Sequence, residues 1–579
     1  MTSWEKVYQK WETFQDLDAN LKNELTKLNG NQLALEDAFY KELTFGTGGM
    51  RGIIGPGINR MNIYTIRKAV NGLANYLLEH TVNVKDRGVV IAYDSRHMSK
   101  EFAIETAKVL GAFGITAYVF KSLRPTPLLS FAVRYLGTVS GIMITASHNP
   151  PEYNGFKVYN EDGGQITPNQ AADIIACIQQ TDDELLVPYM DQATLEKEEL
   201  INWIGNEIDN AYLEKLIDIS KLPAEEREQE KAIPIVFTPL HGTAYELVSQ
   251  GLAQLNFTNV HVVEEQAVPD PEFSTVKSPN PEEHQAFTRA IQQGKKHDAA
   301  ILLATDPDAD RLGVAVKDDT GNYQVLTGNQ LGALMLDYIL SHSDSALLKS
   351  GRMLKTVVTS ELGKAVADYY GITTINTLTG FKYIGEKIRE FDATGETFVF
   401  GYEESYGYLT SSFARDKDAI QAAMMASEMA YYWKNKGKTL HDALHELYER
   451  HGYYKEDMTS LTLKGKQGSE QIAKIMATIR SEPLQEIADL CVKATEDYLI
   501  GQRYTLDNPE NIEAIELPKE NMMKFILEQH SWVCLRPSGT EPKIKCYYGV
   551  CTENEKESIQ RISALKQAME RILEQIIEG

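Results

Sequence analysis

Along this 579-residue chain, apolar positions switch repeatedly between two spacings. Ile63, Ile66, Val70, Leu73 and Leu77 fall three or four apart and predict one face of a helix, while Gly88 to Tyr93 has the unbroken apolar character of a buried strand. The alternation continues through Phe102 to Leu110 (helix), Ala117 to Phe120 (strand) and Gly141 to Ile144 (strand). Elements taking turns in this way predict α/β layers. Two later strands, Ala299 to Ala304 and Thr397 to Phe400, end like the Gly141 strand in polar loops, T-D-P-D-A-D-R and G-Y-E-E-S-Y-G. The chain therefore reads as three related α/β domains. Ligands bind beyond the carboxyl ends of strands in open α/β sheets, so these three loops are the first place to seek a site. Ahead of the domains, residues 1 to about 44 are helical in pattern, with Trp4, Val7, Trp11 and Phe14 forming a packing face. Behind them, polar loops around L-K-G-K-Q-G-S-E and a last helix with Ile562, Leu565, Met569, Ile572 and Ile576 on one side predict a smaller α+β domain. Boundaries near residues 205, 322 and 452 give domains 1–205, 206–322, 323–451 and 452–579. Pro223 to Lys231, P-A-E-E-R-E-Q-E-K, reads as a solvated surface loop.

The loop after the Gly141 strand gathers the most chemistry. Pro150-Pro151 prevents a helix from starting there, Asn154-Gly155 predicts a turn, and Phe156 to Tyr159 predicts a returning strand that carries Lys157 back to the loop. Ser147, His148 and Lys157 thus place a hydroxyl, an imidazole and an ammonium close together. A serine hydroxyl is a weak nucleophile until a base and a positive charge assist it, and these neighbours can supply both. By itself, S-H-N-P is equally well a turn in which hydroxyl and amide cap the backbone.

Asp306, Asp308 and Asp310 alternate with Pro307 and Ala309, so an extended loop would aim all three carboxylates to one side. Oxygen-only ligation points to magnesium, manganese or calcium. An EF-hand is excluded, because Arg311 and Lys317 stand where its glycine and glutamate belong. A D-x-D loop after a strand also resembles the aspartate-nucleophile loop of haloacid-dehalogenase-type phosphatases and mutases, a rival that leaves the serine loop without work. Phe45 to Asn62 is dense in glycine and carries Arg51 and Arg60, so its backbone N–H groups can approach an anion closely. Arg536 to Pro542, R-P-S-G-T-E-P, combines a guanidinium with Ser538, Gly539 and Thr540 in one small loop, a cradle for phosphate. Glu403 and Ser405, with Thr379, Gly380 and Lys382, offer partners for hydroxyl groups, although in isolation they are ordinary turn residues. Asp94, Ser95 and Arg96 follow a strand and read at least as naturally as a structural ion pair as they do as catalytic groups.

Composition limits the classes of partner. With 82 acidic and 58 basic residues the formal charge is -24, which argues against nucleic acid or an anionic membrane as partner and requires any phosphate site to concentrate local cations. Five cysteines without a CxxC pair give neither a disulfide framework nor a zinc site. The N-terminal M-T-S-W-E-K-V-Y has no signal-peptide stretch, and no apolar run approaches a bilayer-spanning length, so the expected location is the cytoplasm.

T-A-S-H-N-P followed by N-G-F-K resembles the phosphoserine loop of the α-D-phosphohexomutase family. Three more strings follow the family's order: G-T-G-G-M-R-G around Arg51, D-P-D-A-D-R with Pro307 in place of the usual glycine, and R-P-S-G-T-E-P. The resemblance spans about Phe45 to Gly549. It implies four domains around a central cleft, with a phosphoryl group carried on Ser147 and assisted by Arg51, His148 and Lys157. It further implies one Mg2+ held by Asp306, Asp308, Asp310 and the phosphoserine at Ser147. The substrate contacts it implies are Arg311, Thr379, Gly380, Lys382, Glu403, Ser405, Arg536, Ser538, Gly539 and Thr540. The G-T-G-G-M-R-G, T-G-F-K and E-E-S-Y-G strings lie nearest the phosphoglucomutase and phosphopentomutase branch. The implied activity interconverts α-D-glucose 1-phosphate and glucose 6-phosphate, with glucose 1,6-bisphosphate as intermediate and activator. Pentose and mannose phosphates are alternative substrates, a non-catalytic sugar-phosphate sensor is a remote alternative, and the expected assembly is a monomer or weak homodimer.

Overall fold

The structure is a computed structural model that describes residues 2–463, 468–506, 508, 511–538 and 543–578, together with the backbone of 465–467. The chain forms two compact units. The first comprises Met1–Thr327, Phe381–Gly401 and Ser405–Thr439, and the second Gly328–Gly380, Tyr402–Glu404 and Leu440–Gly579. No helix among the described residues is long and apolar enough to cross a membrane.

In the first unit, Val89–Tyr93, Ala117–Phe120, Ser140–Ile144 and Ile201–Ile204 form the parallel part of a seven-stranded sheet. Every residue of Val89–Tyr93 and Ser140–Ile144 is buried, as continuous apolar runs between helical layers require. Ile63–His80 and Ser99–Ala112 contribute Ile66, Val70, Leu73, Phe102 and Leu110 to the core over this sheet. Asn62 starts the first of these helices by accepting hydrogen bonds from the Tyr64 and Thr65 amides at 3.0 and 3.1 Å. The antiparallel part of the sheet continues from Ser140–Ile144 through Tyr153–Asn160 to Gly49–Ile53 and Phe45–Gly46. Asn154 and Gly155 therefore lie inside a strand, opposite Gly52 and Arg51, and do not form the expected turn. The reversal occurs earlier, where the Tyr153 amide bonds the Pro150 carbonyl at 3.1 Å.

A second sheet of the same unit has the order Tyr323–Val325, Leu312–Lys317, Ile301–Thr305, Ile235–Thr238, Val260–Val262. Strand Ile301–Thr305 ends at the three aspartates, and Leu312–Lys317 returns antiparallel to it. Trp4 and Trp11 are buried in a cluster with Leu21, Leu35 and Phe39, while Val7 and Phe14 are partly buried against it, as the helical spacing predicts. The Pro223–Lys231 stretch is exposed over 223–225 and 228–230, as a solvated surface segment should be, but differs from a plain loop in two respects. It contains the helix Ala224–Arg227, and Lys231 is buried because its ammonium donates to the carbonyls of Arg227, Gln229 and Leu255.

In the second unit, Gly351–Thr356 and Thr373–Thr377 pair in parallel. The C-terminal sheet is antiparallel and runs in the order 453–462, 543–552, 532–537, 523–527, 490–497, 502–505, 512–514. Helix Glu555–Glu578 lays Ile562, Leu565 and Met569 onto this sheet, with Ile572 and Ile576 at the edge of the contact. The stretch expected as loops around L-K-G-K-Q-G-S-E is largely the beginning of a helix, Gly465–Ser481. Its Ile472, Ile475, Met476 and Ile479 are spaced to bury one face in the same core.

Candidate active site

Ser147 stands just beyond the end of strand Ser140–Ile144 and is only 4% exposed. Its backbone has φ of 50°, a left-handed conformation that costs a non-glycine residue about 1–3 kcal/mol and persists only where its surroundings enforce it. Enforcement is visible on both sides of the residue. The Ser147 amide donates to Thr145 Oγ1 at 2.8 Å, and Thr145 Oγ1 donates to Asp94 Oδ2 at 2.6 Å. The Ser147 carbonyl accepts from Arg96 Nη2 at 2.5 Å.

The side chain of Ser147 points at the metal-type loop. Ser147 Oγ donates to Asp306 Oδ2 at 2.6 Å and lies 3.1 Å from His148 Nδ1. The loop after Ile301–Thr305 is turned, not extended, with Ala309 at φ 54°. The turn brings the carboxylates of Asp306, Asp308 and Asp310 together, one oxygen of each within 4.8 Å of the others. Asp306 Oδ1 accepts from the Asp310 and Arg311 amides, both at 3.0 Å, which closes the loop upon itself. Behind it, Gly242 permits close packing, because a Cβ there would come within 2.4 Å of Pro307 Cα.

Three carboxylates buried together require compensation. Lys157 provides part of it, donating to Asp308 Oδ2 at 2.7 Å and reaching Asp310 Oδ2 at 3.3 Å. Lys417 adds a contact to Asp310 at 3.1 Å, and Thr126 Oγ1 donates to Asp308 Oδ2 at 2.9 Å. Burial and the charges of Asp308 and Asp310 push the Asp306 carboxyl well up. For Asp310 the effect of burial is outweighed by Lys417, Lys157 and Arg311, which hold it far below the usual carboxylate range. Burial of Lys157 is likewise outweighed by Asp308 and Asp310, so its ammonium is held more firmly than usual. His148 is pushed down to about 3 by burial and by the charges of Arg311 and Arg51, and is neutral near pH 7.

Asp308 Oδ1 and Asp310 Oδ1 are buried and have no hydrogen-bond partner among the described residues. Orphaned anionic oxygens converging beside a third carboxylate and a serine hydroxyl fit a hard divalent cation. The donor set thus suits the metal that the sequence pattern implies.

The remaining expected residues fall as follows. Arg51 is exposed on strand Gly49–Ile53 and donates to Asn149 Oδ1 of the serine loop at 2.8 Å. Arg311 pairs with Glu282. Lys382 donates to Thr47 Oγ1 at 2.7 Å. In the second unit, Glu403 is buried and accepts from the Gly380 amide at 2.8 Å, beside Thr379, while Glu404 accepts from the Thr359 hydroxyl at 3.0 Å. Ser405 follows in the first unit and is half-buried. Arg536 ends strand Trp532–Pro537 and donates to Glu520 Oε1 at 2.5 Å. The Ser538 amide donates to the Lys543 carbonyl at 2.7 Å, and Gly539 and Thr540 lie outside the described residues. Sequence reasoning overlooked Thr126 and Lys417. Lys417 had a signal in the run of four consecutive charges Arg415, Asp416, Lys417 and Asp418, but only the structure shows that the other three are nearly completely buried. Nothing around Thr126 sets it apart from other helix-starting threonines.

A serine hydroxyl beside a buried carboxylate triad that fits a divalent cation is an arrangement suited to phosphoryl transfer. The chain matches phosphoglucomutase/phosphomannomutase alpha/beta/alpha domains I, II and III over residues 42–185, 210–321 and 327–451, and the C-terminal domain of the same proteins over 495–565. It belongs to the phosphoglucomutase/phosphomannomutase family, whose members are isomerases that move a phosphoryl group within a sugar. Among curated relatives, phosphoglucomutase of Staphylococcus aureus (strain bovine RF122 / ET3-1) is 41% identical over 532 residues, covering 91% of this chain and 93% of that protein. The MRSA252 strain protein is 40% identical over the same length. In fold, the chain is similar to pp63/parafusin, a phosphoglucomutase from Paramecium, at a TM-score of 0.67 and 17% identity, covering 93% and 96% of the two chains. A phosphoglucomutase/phosphomannomutase family protein from Burkholderia thailandensis gives 0.66 at 18% identity, covering 92% and 98%.

Proposed function

We propose that this chain interconverts α-D-glucose 1-phosphate and glucose 6-phosphate by way of a phosphoserine at Ser147 and a glucose 1,6-bisphosphate intermediate. The observation that carries this reading is Ser147 Oγ, 2.6 Å from Asp306 at the meeting point of three buried carboxylates. The choice of glucose is supported by the Staphylococcus aureus relatives, which are named phosphoglucomutases.

In the forward half-reaction the bond from Ser147 Oγ to phosphorus breaks and a bond to the free hydroxyl of the sugar monophosphate forms. In the second half, Ser147 Oγ bonds to the phosphorus at the other end of the bisphosphate, the bond from that phosphorus to its sugar oxygen breaks, and the serine proton passes to that oxygen to leave a free hydroxyl. Such transfers depend mainly on positioning and charge compensation. Magnesium, held by Asp306, Asp308 and Asp310 together with the Ser147 phosphoryl group, would polarise the phosphoryl oxygens. Lys157, firmly charged beside Asp308, and Arg51 offset negative charge around the serine. His148 hydrogen-bonds Ser147 Oγ while adding no charge. The proton passes from the sugar hydroxyl to the departing Ser147 oxygen through one of two groups: His148, which is neutral and can accept it first, or Lys157, which is charged and gives its own proton before taking it. We assign Glu403, Ser405, Thr379, Gly380 and Lys382 to sugar hydroxyls, and Arg311, Arg536, Ser538, Gly539 and Thr540 to phosphate groups. Domain boundaries near 205, 322 and 452, a cytoplasmic location and a monomer or weak homodimer belong to the same proposal.

The test is a coupled assay with glucose 1-phosphate, magnesium and a trace of glucose 1,6-bisphosphate, on wild type and Ser147→Ala. Turnover lost in the variant, with an acid-stable phosphoserine at Ser147 in the wild type, is the expected result. Near-normal turnover of Ser147→Ala, or an alkali-labile acyl phosphate at Asp306, overturns the mechanism. Ribose 1-phosphate as the best substrate overturns the choice of sugar.

A further inference from the structure

The conformation of Ser147 is set from outside its own loop by one buried ion pair. Asp94 and Arg96 follow strand Val89–Tyr93, parallel neighbour of the strand that leads to Ser147. Arg96 Nε lies 3.4 Å from Asp94 Oδ2, and both side chains are completely shielded from solvent. Asp94 is itself fixed by Ser99 Oγ at 2.7 Å and by the Arg96 amide at 3.0 Å. From this pair the two peptide groups flanking Ser147 are gripped separately. On the amide side the link runs from Asp94 through Thr145 Oγ1 to the Ser147 N–H, at 2.6 and 2.8 Å. On the carbonyl side Arg96 Nη2 reaches the Ser147 oxygen directly, and the same guanidinium takes the carbonyls of Asn149, Pro150 (2.8 Å) and Tyr153 (3.1 Å). The Phe273 ring lies 4.9 Å from the guanidinium and covers it. Four carbonyls converging on one side chain need a planar fork with several donors, which arginine has and lysine lacks.

We infer that Asp94, Thr145 and Arg96 are positioning residues for the phosphoryl transfer: they hold Ser147 in its left-handed conformation, so that its Oγ stays aimed at Asp306. None of them contacts the reacting oxygen. The inference rests on the reading of Ser147 as the phosphoryl carrier. Fixing two adjacent peptide groups of opposite polarity leaves the residue between them little rotation about φ. Releasing either grip lets Ser147 relax toward a commoner conformation and swings Oγ away from the triad, since a small misplacement of a reacting group is costly in rate.

The decisive comparison is Thr145→Val against Thr145→Ser in the full-length protein, with Arg96→Lys as a second probe. Valine preserves the shape but removes the hydroxyl that accepts from the Ser147 amide, whereas serine keeps it. Thr145→Val is expected to lower kcat roughly tenfold to hundredfold, the equivalent of ~1.4 to ~2.8 kcal/mol, with KM for glucose 1-phosphate unchanged within about twofold. Thr145→Ser is expected to restore most of kcat. Arg96→Lys is expected to lower kcat in the same way, and the phosphoserine content at Ser147 should fall in both impaired variants. If Thr145→Val and a folded Arg96→Lys both keep wild-type kcat while Ser147→Ala is inactive, the positioning role is wrong and the carrier stands. If Ser147→Ala is itself active, the carrier reading fails first. Equal losses in Thr145→Ser and Thr145→Val also overturn the inference, because the hydroxyl is then not what matters.

Discussion

Replacing Gly155 with alanine tests the strand register at the site. A Cβ on Gly155 would lie 2.5 Å from the Thr145 carbonyl oxygen and 2.9 Å from that of Met50, well inside the ~3.5 Å of a favourable nonbonded contact. Both obstacles are backbone atoms, so no side chain can swing aside. They also belong to the two chain segments flanking Gly155: the Thr145 amide bonds the Gly155 carbonyl at 3.1 Å, and Arg51 is its partner on the other strand. Relief therefore requires the sheet to open between the serine loop and Arg51. Overpacking of this kind costs about 1–3 kcal/mol, and its backbone character favours the upper end. The loss of unfolded-state freedom returns about 0.4–1 kcal/mol, leaving a net destabilisation of about 2 kcal/mol. For a domain of roughly 200 residues this lowers Tm by about 4–8 °C. Differential scanning fluorimetry reads the shift in the lowest-temperature transition, and the coupled assay reads the accompanying fall in kcat. An unchanged Tm with wild-type kcat would refute the register and the close approach. Had Asn154-Gly155 formed a loop turn, as the dipeptide alone predicts, alanine would be felt far less.

Three other outcomes are expected. Asp308→Asn should reduce mutase activity and raise the magnesium concentration needed for half-maximal rate, because one of the three converging charges is lost; activity insensitive to a chelator in the wild type would contradict the metal role. Lys157→Met should lower kcat strongly, since it leaves the buried Asp308 without its 2.7 Å ammonium partner, and His148→Ala should lower it more modestly; if each keeps most of the wild-type kcat, neither handles the hydroxyl proton. Asp418 is pushed up from an ordinary 3.8 to about 6 by burial, in spite of helix-capping amides and the Tyr212 hydroxyl. Its folded form holds a proton that the unfolded chain releases, so this stabilisation is complete below about pH 4 and disappears as pH rises through about 6, a change of roughly 3 kcal/mol. Asp418→Asn should flatten the fall in Tm between pH 4.5 and 7, and parallel profiles for the two proteins would reject the assignment.

The apolar periodicities alone determined the helix Ile63–His80, the strands Val89–Tyr93 and Ser140–Ile144, and the packing face of the C-terminal helix. Burial on one face or on both leaves a repeat that any fold containing the element must respect. The chemistry of the site was equally local: a hydroxyl, an imidazole and an ammonium lie within one strand-loop-strand unit, and three aspartates within five residues. What only the tertiary structure decided is how distant segments complete them. Residues 147 and 306 meet at 2.6 Å although 159 positions separate them, and Thr126 and Lys417 reach the same triad from elsewhere in the chain. The strand placement of Asn154-Gly155 was also beyond local reading, because the neighbouring strand enforces it against the preference of the dipeptide. The aspartate loop is turned because Asp306 accepts from the Asp310 and Arg311 amides, a closure that the alternating pattern does not announce. Local sequence encodes which groups are available and which faces are buried, whereas the compensation of a buried charge and the strain held at Ser147 are properties of the assembled core, where low dielectric and close packing make each partner count.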